Sequence, residues 1–110
     1  MKTTTEQEPV GTMFNPPHPG EVLQGLWLEP LGLTITKTAE ILGVSRKTVS
    51  NIVNAKIPIS QDLAIRIAIA FKGRAKFWLD MQASYDAWHA EQNRERIAKE
   101  VTIVMWEQAA

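Results

Sequence analysis

The sequence predicts an all-α domain of five helices, and three observations carry that prediction. Apolar residues recur at intervals of three and four in successive stretches. Those stretches are bounded by proline, glycine or a hydroxyl residue able to cap a helix. One stretch, 63–71, is apolar almost throughout, as a central helix packed on several sides would be. With 110 residues, 45% of them hydrophobic, the chain suits a single small domain with a modest core.

Residues 1–15 are polar, carry a threonine run and show no periodicity, so they read as a flexible N-terminal arm. Asn15-Pro16-Pro17-His18-Pro19-Gly20 cannot be regular helix, because three prolines remove donors and fix φ. Pro19 suits the first turn of a helix, with Glu21 near its positive end. Val22, Leu23, Leu26 and Trp27 then form an apolar stripe to about Glu29, with Pro30 and Gly32 expected to end it. Either Thr34 or Thr36 caps a second helix over about 36–42.

Gly43 follows, the residue best suited to a left-handed exit, and then Val44 as an apolar plug. Ser45 can cap a third helix in which Val49, Ile52 and Val53 share one face. Ala39 is small where the two helices must cross closely. Pro58-Ile59 separates this pair from a fourth helix, capped by Ser60 and aided by Asp62. Gly73 ends that helix. A fifth runs over about 75–91, with Phe77, Trp78, Met81, Tyr85 and Trp88 in an aromatic-rich stripe. Phe77 and Met81 are expected to point inward.

The segment 34–56 reads as a helix-turn-helix able to lie in a DNA major groove. Opposite the apolar face of its second helix stand donors and acceptors suited to base edges and phosphates. Arg46 and Lys47 are the first expected base contacts, Arg46 by forking onto guanine. Ser50 and Asn51, one turn on, come next. Thr36, Lys37, Thr48, Asn54 and Lys56 read as phosphate-positioning groups.

Charge distribution agrees. The chain has 12 basic and 12 acidic residues, but 36–76 holds eight basic groups against Glu40 and Asp62. The remainder holds four basic against ten acidic groups. A polyanion senses the basic segment locally, because screening limits charge effects to about 10 Å at moderate salt. The acidic flanks are free to repel DNA or to attract a basic protein partner.

Other functions find little support. Zero cysteines exclude disulfides and thiolate metal sites, and suit a reducing compartment. No apolar run reaches the ~18–20 residues of a membrane span, and no signal-peptide core opens the chain, so the cytoplasm is the expected location. His18 and His89 stand apart without a ligand cluster, and no phosphate loop or nucleophile elbow occurs. Neither catalysis, metal nor cofactor is expected, and His18 reads as the residue that opens the first helix.

His18-Pro19-Gly20-Glu21, the helix-turn-helix, and 77–86 (Phe-Trp-Leu-Asp-Met-Gln-Ala-Ser-Tyr-Asp) together resemble the HigA antitoxins, also called VapI-like. That family belongs to the Xre class of lambda-repressor-like DNA-binding domains, and the resemblance spans about 14–89. It implies a five-helix lambda-repressor-like domain, a homodimer, and a partner named HigB, a RelE-like ribonuclease toxin. It further implies that the dimer or the toxin complex represses its own operon. The chain departs from the family where the fifth helix opens, with Arg74-Ala75-Lys76 in place of a Ser or Thr cap followed by Pro-Glu. That leaves the helix start open and adds positive charge beside Lys72, a cluster able to extend the phosphate-contacting surface.

The expected organisation is therefore an arm (1–15), a DNA-binding domain (16–92) and a C-terminal tail (93–110). One recognition helix reads few base pairs, so a dimer on two half-sites is expected on physical grounds too. Trp78, Tyr85, Trp88 and Trp106 are the expected dimer or partner contacts. In the tail, 93–100 is compatible with helix, while 101–106 is β-branched and fits a strand or a helix's apolar side; it docks on a partner or folds back. The alternative function is a stand-alone phage- or plasmid-type repressor without a toxin.

Overall fold

The computed structural model describes residues 15–105, which form six helices and no strand. We number them α1 (19–31), α2 (Ile35–Leu42), α3 (Arg46–Val53), α4 (Gln61–Ala70), α5 (Ala75–Glu91) and α6 (Arg94–Ala98). The expected arm, apart from Asn15, and Trp106 lie outside the described residues.

His18 opens α1 as a capping box. Its Nδ1 accepts the Gly20 N–H at 2.9 Å, and the Glu21 carboxylate accepts the His18 N–H at 3.0 Å. The helix does not stop at Pro30. It passes from α-helical Pro19–Leu23 into a π-helical turn, Gln24–Leu28, and ends at Gly32, left-handed at φ 65°. Glu29 N–H donates to Gln24 O, the i−5 pattern of a wide turn. That widening admits Pro30, which offers no donor of its own. It also resets the buried stripe: Leu23 and Leu28, five apart, are both buried, whereas Leu26 faces outward.

Thr34, not Thr36, caps α2, accepting the Lys37 N–H at 3.0 Å. Gly43 leaves it left-handed at φ 71°. Ser45 caps α3 and Ser60 caps α4, each through its hydroxyl oxygen. α5 begins at Ala75 with no side-chain cap.

The core joins Leu23, Leu28, Leu42, Ile52, Ile59, Leu63, Ile67 and Trp78, drawn from α1 to α5 and the loop after α3. α4 is less enclosed than its apolarity suggests. Ile65 and Ile69 are 51% and 74% exposed, because α4 meets α2 and α5 on one side only. The stripe on α5 is also rotated from expectation. Trp78 is 3% exposed and belongs to the protomer's own core, so it offers no partner surface; Phe77 is 51% exposed. Met81 is partly buried against the core. After α6, residues 101–105 adopt neither strand nor helix, and Val101, Ile103, Val104 and Met105 are exposed.

Candidate nucleic-acid interface

The two-helix unit is built from its caps inward. Gly43 N–H and Val44 N–H both donate to Ala39 O, which turns the chain sharply out of α2. Ser45 then fixes the start of α3, its hydroxyl bonded to the Thr48 N–H at 3.0 Å and lying 2.9 Å from the Thr48 hydroxyl. Val49 and Ile52 anchor α3 against α1 and α2.

Opposite that anchor lies the expected polar face. Arg46, Lys47, Asn54 and Lys56 are exposed, and Thr48, Ser50 and Asn51 are partly so. Among the described residues Arg46, Lys47 and Lys56 have no acidic partner within 4 Å. Their charge is therefore free for a polyanion. Thr36 and Lys37 are exposed at the start of α2, and Lys37 lies 3.8 Å from Glu40. Two residues have internal duties. Thr48 pairs with the cap, and the Asn54 side-chain amide donates to Ser50 O at 2.8 Å, closing the end of α3.

Three supports escaped the reading of the sequence. Gly20 packs on α3 with no room for a side chain. Arg66 on α4 donates from Nη1 to Leu42 O at 2.9 Å and Gly43 O at 3.2 Å, while Nε pairs with Asp62. It thereby satisfies carbonyls at the negative end of α2. Gln82, buried on α5, accepts the Ile59 N–H at 2.7 Å and donates to Asp86 at 2.9 Å. This fixes the loop after α3 to α5. The i, i+4 spacing of Asp62 and Arg66 was a visible signal; a glutamine buried by tertiary contact had none.

The site is a surface for binding, with no cluster of three or more His, Cys, Asp or Glu among the described residues. Nor is any described helix long and apolar enough to cross a membrane. Tyr85 and Trp88 on α5 are partly buried; Tyr85 lies edge-on to His18, with ring centroids 4.9 Å apart.

A capped two-helix unit with an outward polar face and free cations defines a helix-turn-helix DNA-binding protein. The helix-turn-helix family model matches residues 26–78. Virulence-associated protein A of Dichelobacter nodosus is 54% identical over 74 residues, covering 66% of this chain and 72% of that one. Antitoxin HigA-1 of Vibrio cholerae is 37% identical over 101 residues, covering 90% and 95%. Among solved structures, Pseudomonas aeruginosa antitoxin HigA with the higBA promoter superposes with a TM-score of 0.73 at 34% identity, covering 82% of this chain and 99% of that one. The chain belongs to the HigA antitoxin family of helix-turn-helix regulators.

Proposed function

We propose that the chain is the antitoxin of a two-protein module. As a homodimer it sets α3 of each protomer into successive major grooves of its operator, represses its own operon, and holds a HigB-like, RelE-type ribonuclease toxin inactive. The observation that carries this reading is the polar side of α3, exposed and unpaired at Arg46 and Lys47 while Val49 and Ile52 fix its back. The Pseudomonas aeruginosa relative solved with its promoter supports the DNA half of it. Two half-sites about 34–36 Å apart supply the specificity that one helix lacks.

In this proposal Arg46, Lys47, Ser50 and Asn51 read bases, while Thr36, Lys37, Thr48, Asn54 and Lys56 set register on phosphates. Tyr85 and Trp88 contribute to the dimer or toxin contact. The acidic residues outside 36–76 suit a basic toxin.

The test is a gel-shift titration with DNA upstream of the reading frame, paired with light scattering and with co-expression of the neighbouring frame's product. We expect a dimer, a footprint with two-fold symmetry, and rescue from that product's toxicity. A monomer that binds scrambled DNA equally well overturns the operator reading. Failure to rescue overturns the antitoxin reading.

A further inference from the structure

We infer that a cavity at the start of α5 binds a small amphipathic carboxylate: an aliphatic or aromatic body with one anionic head. The cavity measures about 340 Å³ and lies apart from the polar face of α3. Its apolar walls come from Trp27, Ile67, Phe71 and Trp78, with exposed Phe77 at the mouth. Lys72, Arg74 and Lys76 surround the opening. The size is at the lower end of small-molecule sites, too small for a duplex backbone or a folded partner.

Two observations fix the chemistry of the occupant. Lys76 is held by Asp80 at 2.6 Å, but Lys72 and Arg74 have no acidic partner among the described residues, so the rim stays positive. α5, 17 residues long, begins behind them without a side-chain cap or an acidic residue in its first turn, so its first N–H groups and dipole favour an anion.

Apolar walls give a bare phosphate nothing, and a basic rim gives a neutral hydrocarbon nothing. Only a ligand with both parts uses the whole site. This inference does not depend on operator or toxin binding.

The experiment titrates octanoate into the full-length ¹⁵N-labelled chain, with octanamide as the neutral isostere. The Trp27 indole resonance is identified through Trp27→Phe. We expect octanoate to shift that resonance and the amides of 75–77 saturably, with Kd of about 1 mM or tighter. Octanamide should bind about tenfold more weakly, and Lys72→Glu/Arg74→Glu should weaken octanoate about tenfold, with a native spectrum retained. Arg74→Gln, expected to weaken octanoate less, repeats the comparison if the double variant unfolds. Equal binding of octanamide, an unchanged Kd in the variants, or no saturable shift overturns the inference. It is also overturned if those resonances respond to protein concentration alone, which assigns the cavity to a second copy. A larger response to acetyl-Glu-Glu-Phe-Glu-Glu-amide assigns it to a protein segment and equally overturns it.

Discussion

Gly20 and Ile52 meet backbone to backbone: a Cβ on residue 20 would stand 1.7 Å from the Ile52 carbonyl oxygen. The first turn of α1 therefore sets the depth at which α3 is seated. Pro19 and the His18 cap bring that turn to the contact, giving His18-Pro19-Gly20-Glu21 a physical reason. Gly20→Ala must push the two helices apart, and overpacking of this kind costs about 1–3 kcal/mol. Urea unfolding should show that loss, and operator affinity should fall in samples still folded by circular dichroism.

Gln82 gives a second prediction. Its side chain supplies the acceptor for the buried Ile59 N–H. Gln82→Leu keeps the volume and strands that donor, a cost of about 1–3 kcal/mol. A lower urea midpoint with an unchanged slope would be the expected result.

Arg46 and Lys56 should respond differently to removal. Arg46 stands exposed at the first turn of α3, so Arg46→Ala should cost about 1–3 kcal/mol and relax one base position. Lys56 follows α3 on the left-handed turn at Ala55, and Lys56→Ala should weaken all sequences alike. A gel-shift series over single-base operator variants separates the two; the opposite pattern would reverse the roles assigned here.

His18 makes stability depend on pH. Burial pushes its pKa below the usual histidine value, outweighing the hydrogen bond to the Ile57 backbone and the carboxylates of Glu21 and Asp86. The folded state thus favours the neutral ring. Below about pH 6.5 the unfolded chain takes up the proton first, so stability falls with acidification until the folded pKa is passed. His18→Asn can still cap the helix but does not titrate. The wild-type stability, measured relative to this variant by urea unfolding, should decline below that pH and level off above it.

Much of this architecture was legible because local chemistry carries it. Ser45, Gly43, Val49 and Ile52 state the helix-turn-helix through cap, exit and face, and Ala75–Glu91 emerges at its expected bounds. What failed was phase. In 77–81 aromatic and aliphatic residues are adjacent, so periodicity does not choose between Phe77 and Trp78; the packing of α5 against its neighbours does. The same holds for Ile65 and Ile69, apolar residues on a side of α4 that no other described element covers. In α1 the π-helical turn breaks the 3.6-residue count itself, so Leu28 replaces Leu26 inside. At the interface the exposed polar side chains were readable, whereas their supports, Gly20 and Gln82, depend on neighbours distant in sequence.

The ion pairs set a ceiling on how steeply salt should strip the protein from a duplex. Arg66 and Lys76 already face Asp62 and Asp80. Around the two-helix unit that leaves Lys37, Arg46, Lys47 and Lys56 to displace condensed counterions. At about 0.9 per neutralised phosphate, four such groups give a logarithmic slope of about −3.6 per protomer, and about −7 for a two-fold pair. Binding should thus fade with ionic strength more gently than eight basic residues in 36–76 would suggest, leaving more of the discrimination to base edges.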